Sequence, residues 1–153
     1  VQIVGEFEDK LNAADLTLLI QKPETPVYVM ADGRHFWRVI DNLMNNICKY
    51  AQPGTRVYVD LRENGGQVEL IFRNTSRYPL NISSDELMER FVRGDESRNT
   101  EGSGLGISIA KSLMELMGGS FMLYVDGDLF KVVLGFAQME EEKEPLDEDK
   151  SGK

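Results

Sequence analysis

The spacing of apolar residues changes period several times along the chain, and each change marks an element. Val4, Phe7 and Leu11 recur at steps of three and four, which predicts a short amphipathic helix within Val1 to Asn12. Leu16 to Gln21 and Val27 to Met30 are brief runs separated by Pro23 and Pro26, and they read as strands. From Asp32 a 3.6-residue pattern runs to about Tyr50. Asp32 is its expected cap, because a carboxylate there can accept from the first unpaired helical N–H groups. Phe36, Ile40, Leu43 and Ile47 form the apolar stripe of this helix, and Pro53-Gly54 closes it.

The second half is dominated by alternation. Arg56 to Glu63 and Gln67 to Arg73 flank Asn64-Gly65-Gly66, which predicts a hairpin. Ser83 to Glu89 reads as a short capped helix, and Leu105 to Met117 as a longer one ended by Gly118-Gly119. Ser120 to Val125 and Leu129 to Phe136 predict a second hairpin around Asp126-Gly127-Asp128. Helices interspersed with antiparallel hairpins imply an α+β fold, a sandwich with the helices packed on one face of a sheet.

Length and charge refine this picture. At 153 residues the chain suits one domain. No apolar run approaches the roughly 20 residues of a membrane span, and the single Cys48 excludes a disulfide framework within one chain. With no signal peptide and Val rather than Met at its start, the sequence reads as a piece of a longer protein. The formal net charge of -9 argues against a nucleic-acid partner and, at face value, against a polyphosphate ligand. The charge is uneven, however. Residues 138–153 hold seven acids and three lysines with almost no apolar content, and read as a disordered acidic tail; the remainder carries -5. The expected organisation is a helical junction over 1–14, a domain over 15–137 and the tail.

Two constellations could carry chemistry. Beside the apolar stripe of the long helix runs a polar one of His35, Arg38, Asn42, Asn46 and Lys49. Asparagine is a poor helix former, so a pair at i and i+4 followed by a lysine asks for a reason. Carboxamide oxygens can ligate a hard divalent ion, and Lys49 can meet a phosphate; a solvated face would look the same. The second constellation is Gly102-Ser103-Gly104-Leu105-Gly106 at a helix start, where free N–H groups and the helix dipole favour an anion. It lacks both the dinucleotide fingerprint and the lysine of a P-loop. His35 reads as a surface or boundary residue, Cys48 as a small packed group, Trp37 as a helix-packing residue, and Met114 and Met117 as core.

Taken together, the constellations resemble a known family. Asn42-Leu43-Met44-Asn45-Asn46-Ile47-Cys48-Lys49-Tyr50 resembles the N box of sensor histidine kinases. The stretch Gly102 to Lys111 is similar to their G2 box, and Glu89-Arg90-Phe91-Val92-Arg93-Gly94-Asp95 to their F box. The motifs stand in family order and cover about Tyr28 to Phe136. The resemblance is to the catalytic ATP-binding domain. It implies the Bergerat fold, a two-layer α/β sandwich with a mixed sheet packed on helices and a flexible ATP lid over Asp95 to Gly102.

The resemblance also implies roles. Asn46 would ligate Mg2+, Asn42 would bond the phosphates, Lys49 would neutralise their charge, and Tyr50 would cover the ribose or adenine. Arg93, with Arg90 and Arg98, would reach the phosphates, and the amides of Gly102, Gly104, Leu105 and Gly106 would hold them. The usual G1 box, Asp-x-Gly-x-Gly, is replaced by Asn74-Thr75-Ser76-Arg77-Tyr78-Pro79-Leu80. Asn74 would take the adenine-recognising position as a neutral acceptor, with Leu80 nearby, so the adenine contact would be weaker. The implied activity is transfer of the γ-phosphoryl group of Mg-ATP to a histidine on a separate dimerisation domain, and onward to a response regulator. No phosphoacceptor motif is present here, so this piece alone would not phosphorylate itself. The parent would be a bacterial membrane sensor with this domain in the cytoplasm. A regulatory module that has lost catalysis, and an anti-sigma-type serine kinase, share the fold as alternatives.

Overall fold

The long helix begins where its cap is expected. Asp32 adopts an extended conformation, and its side chain accepts from the backbone N–H groups of Arg34 and His35 at 2.9 and 3.1 Å. The bond from His35, supported by that from Arg34, holds the Asp32 carboxyl below its ordinary value. In this computed structural model, residues 2–80, 83–89 and 105–139 are described, without the side chains of Gln2, Ile3 and Leu105. The expected lid with Arg98, the F-box arginines Arg90 and Arg93, the glycines Gly102 and Gly104, and residues 140–153 lie outside them.

The described chain runs α1 (Gln2–Gly5), α2 (Glu8–Ala13), β1 (Thr17–Gln21), β2 (Tyr28–Val29), α3 (Gly33–Tyr50), β3 (Arg56–Asn64) and β4 (Gln67–Thr75). It continues with a helical turn over residues 84–89 (α4), then α5 (Leu105–Leu116), β5 (Ser120–Asp126) and β6 (Leu129–Met139). The first predicted helix is divided into α1 and α2, with Val4, Phe7 and Leu11 all buried as their spacing requires. The serine of the predicted α4 cap is in place, since Ser83 Oγ accepts from the N–H of Glu86 at 3.2 Å.

The strands form one mixed sheet in the order β1-β3-β4-β6-β2, with β5 also paired to β6. β1 runs parallel to β3 and the other pairs are antiparallel. The β3–β4 hairpin turns through Gly65 and Gly66, whose φ angles of 57° and 83° match a tight turn with two left-handed positions. β6 continues through Gln138 and Met139, which pair with β2.

One face of the sheet presents Val57, Val59, Phe72, Phe121, Leu123, Phe130, Val132, Leu134 and Phe136 to the helices, and these residues are buried. On α3 the buried set is Val39, Ile40, Leu43, Met44 and Ile47. It is wider than the predicted stripe because α3 meets two surfaces, the sheet on one side and α5 on the other. Phe36 is only half-buried and meets the ring of Phe136 edge-on, with centroids 5.8 Å apart. Ile107, Ala110 and Met114 supply the core side of α5, and Met117 packs against its margin.

Strand alternation puts a polar cluster on the opposite face. Register places Tyr58, Arg73, Lys131 and Tyr124 in one row across four strands. The Arg73 guanidinium lies 5.0 Å from the Tyr58 ring centroid and Lys131 Nζ 5.3 Å from that of Tyr124. Asp60, 1% exposed, accepts from Arg73 Nη2 at 2.6 Å, while Arg62 is more distant at 3.6 Å. A carboxylate this buried depends on its partner. Arg73→Met should therefore destabilise the domain by about 3 kcal/mol, and Asp60→Asn in the Arg73→Met background should recover most of the loss. Urea unfolding of the single and double variants measures both.

Candidate functional site

The C-terminal half of α3 gathers the predicted residues. Asn42 is half-buried, and its Nδ2 is enclosed without a hydrogen-bond partner among the described residues. The reason for the enclosure is α5, whose first turn lies directly against it. A Cβ at Gly106 would sit 3.4 Å from Asn42 Cβ and 3.5 Å from its carbonyl oxygen, so the two helices pack closely here, with room for a methyl and little more. The N-box and G2-box resemblances, 60 residues apart in sequence, are therefore brought side by side by the packing of α5 on α3. A solvated face does not describe Asn42.

The neighbouring residues divide by role. Asn45 is structural: its Nδ2 donates to Asp41 Oδ1 at 3.1 Å, and its Oδ1 accepts from Lys10 Nζ of α2. Asn46 is half-buried on the next turn, and Lys49 is exposed with its Nζ 5.6 Å from the Tyr50 ring centroid. Cys48 packs half-buried against the core, and burial pushes its thiol up. His35 is a half-buried boundary residue, as expected. Trp37 departs from the expectation: it is 44% exposed, at the edge of the buried arc rather than within the packing.

The end of β4 supplies the second half of the site. Asn74 alternates with Phe72 onto the helix side of the sheet and is 4% exposed. Its Oδ1 is buried with no hydrogen-bond partner among the described residues. An unpaired buried amide oxygen is costly unless a ligand pairs with it. The segment that follows is tied in place by its backbone. Gln52 N–H donates to Thr75 O at 2.8 Å, and Arg77 N–H to Tyr50 O at 2.8 Å, with Ala51 and Ser76 forming a bridge between them. Ser76 N–H donates to Asp128 O at 2.7 Å, and Leu80 N–H to Gly127 O at 3.0 Å. Leu80 packs its side chain on the core.

These bonds account for the missing G1 glycines. Among the described residues the only non-glycine with positive φ is Asp15, so nothing from Asn74 to Leu80 needs glycine's freedom. The path of this loop is held by the end of α3 and by the β5–β6 turn. Neither the Asn45–Lys10 tie nor the anchoring of residues 76–80 to Gly127 and Asp128 was foreseen. No local pattern signals contacts between segments 35 or 50 residues apart.

The candidate site therefore has an unpaired amide donor at Asn42, with the start of α5 beside it, an unpaired amide acceptor at Asn74, and a cation at Lys49. Residues 31–145 match the family described as histidine kinase-, DNA gyrase B-, and HSP90-like ATPase, and the chain belongs to it. Within that family its fold is that of the catalytic, ATP-binding domain of histidine kinases. The probable sensor kinase SilS of Salmonella typhimurium is 29% identical over 143 residues, which cover 92% of this chain and 29% of SilS. The catalytic domain of histidine kinase ThkA in a nucleotide-free form superposes with a TM-score of 0.72 at 19% identity, covering 89% of this chain and 88% of that one. Full-length ShkA in complex with AMPPNP gives a TM-score of 0.70 at 20% identity, covering 90% of this chain and 29% of ShkA. The chain thus spans less than a third of the length of SilS. No helix among the described residues is long and apolar enough to cross a membrane.

The contact of Gly106 with Asn42 predicts a graded response. A methyl at ordinary contact distance fits, so Gly106→Ala should stay within about 1 kcal/mol of the parent. Gly106→Leu must separate α5 from α3, costing about 1–3 kcal/mol. Thermal unfolding of both variants checks the order.

Proposed function

We propose that this domain binds Mg-ATP and presents its γ-phosphoryl group to a histidine on a separate dimerisation domain of a sensor kinase. The observation that carries the reading is the pair of unsatisfied amides, the Nδ2 of Asn42 and the Oδ1 of Asn74, both buried and both within the residues that the family matches. Each is a group that a nucleotide can satisfy. Asn42 donates to a phosphate oxygen, and Asn74 accepts from the adenine amino group. Lys49 neutralises phosphate charge, Tyr50 lies over the ribose or adenine, and Leu80 contributes apolar surface. The first amides of α5, at Leu105 and Gly106, face the phosphates with the positive end of the helix dipole. Arg93, Gly102 and Gly104 join them on the strength of the sequence motifs alone.

For the metal, Asn46 offers a neutral carboxamide oxygen. Among the described residues no group of three His, Cys, Asp or Glu side chains is assembled for a metal ion. That suits Mg2+, which takes few protein ligands and shares the rest with phosphate and water. Bound there, the ion supplies charge neutralisation along the phosphate chain. The protein's own contribution is positioning: in phosphoryl transfer the work lies in alignment and charge stabilisation rather than covalent chemistry. The acceptor histidine, the response regulator and a cytoplasmic placement beneath a membrane sensor complete the proposal, by likeness to sensor kinases such as SilS.

Titration calorimetry with a non-hydrolysable ATP analogue, with and without Mg2+, tests this reading. Mg-dependent binding is expected, and its absence at millimolar ligand overturns it. Asn46→Ala should weaken binding about tenfold with Mg2+ present and little in EDTA. Asn74→Asp should do two opposite things. An unpartnered carboxylate at a 4%-exposed site lowers the melting temperature of the free protein. Pairing with the adenine amino group then enlarges the ligand-induced rise in melting temperature.

A further inference from the structure

The nucleotide site uses one end of the sandwich; the other end holds a cavity of about 190 Å³. Its floor is Ile40 of α3 with Val59, Val68 and Phe136 of the sheet, all buried. Its cover is Val4 of α1, with Val27 and Val29 around β2. Among the described residues the only polar one in the lining is Gln21, itself exposed and at the end of β1. The cause of the void is visible in the elements. α1 is four residues long and β2 only two, and the cover they provide is made of short β-branched side chains. Phe36 and Ile40 line the cavity on the first half of α3, whereas Asn46 and Lys49 lie roughly 9–20 Å further along its axis. On β4 the same polarity holds, with Val68 at the cavity and Asn74 about 20 Å away at the other end of the strand.

We infer that this cavity is a second ligand site, distinct from the nucleotide site, which takes a small uncharged apolar molecule the size of a single substituted aromatic ring. Size and chemistry decide the class. Drug-sized ligands occupy clefts of roughly 300–1,000 Å³ and are too large. A cavity of about 150 Å³ lined by Leu, Ile and Phe stays dry and admits benzene. The floor here has the same lining chemistry and slightly more room. The described floor residues carry no polar side chain, so a polar or ionised ligand seated there would lose its hydration without replacement.

The test is a toluene titration of the whole 153-residue chain, followed by methyl NMR, with and without a saturating ATP analogue. Saturable binding with a dissociation constant of about 1 mM is expected. The shifts should centre on the methyls of Val29, Ile40, Val59 and Val68, and the ATP analogue should not displace the ligand. Val68→Phe should abolish binding by filling the floor, and Val29→Leu should weaken it from the cover should the larger change impair folding. Non-saturable shifts, displacement by the ATP analogue, or undiminished binding in the folded filling variants would overturn the assignment. Loss of toluene binding in a longer protein carrying the residues before Val1 would give the cavity to that chain, and would overturn it equally.

Discussion

The packing of α3 between two partners constrains most of what this domain does. A surface helix needs to bury only one stripe. α3 buries Val39 and Met44 as well as Ile40, Leu43 and Ile47, because the sheet takes one side and α5 the other. That double contact fixes the helix in rotation and translation, and so fixes every polar side chain on its remaining arc. Asn42 lies at the seam, where Gly106 lets the first turn of α5 press against it. A side chain much larger than a methyl at position 106 would move the first turn of α5 and the amide of Asn42 apart together. Core packing and site geometry are thus one arrangement.

Unsatisfied polar atoms follow the same logic. A native interior tolerates few buried groups without partners, and among the described residues four side-chain atoms stand out. Two, Asp60 Oδ1 and Arg73 Nε, belong to side chains already joined in a short ion pair on the far face of the sheet. The other two, Asn42 Nδ2 and Asn74 Oδ1, lie on the helix side, in the segments that the family match covers. One is a donor suited to phosphate and the other an acceptor suited to an amino group. The free domain carries an unfavourable desolvation that a ligand of complementary chemistry removes. Net charge, by contrast, is a poor guide: much of the -9 belongs to residues 138–153, and short-range geometry outweighs an average screened over about 8–10 Å.

The replaced G1 motif shows where a sequence pattern and its physical purpose separate. Glycines in such a loop matter where the backbone must enter conformations that other residues avoid, or lie closer to a neighbour than a Cβ allows. Here the bonds from Gln52, Ser76, Arg77 and Leu80 hold the chain without a positive φ, and Asn74 still ends β4 inside the sandwich. The loss of the motif is therefore compatible with the path the loop takes.

Periodicity alone determined a good deal: the cap at Asp32, both hairpins, the buried residues of the first helical segment and the polar stripe on α3. These are local consequences of 3.6- and two-residue repeats and of turn chemistry, and they can be read without knowing what each element touches. The motif spacing likewise marked Asn42, Asn46, Lys49 and Gly106 as a set. Tertiary structure alone decided the rest. It showed that Trp37 is exposed while Val39 and Met44 are buried, that Asn45 ties α2 to α3, and that Asn42 and Asn74 end with unpaired amide groups. It also left an apolar cavity under a thin cover. Each depends on which surfaces meet across tens of residues. Burial and hydrogen-bond satisfaction are properties of that meeting, and no single segment encodes them.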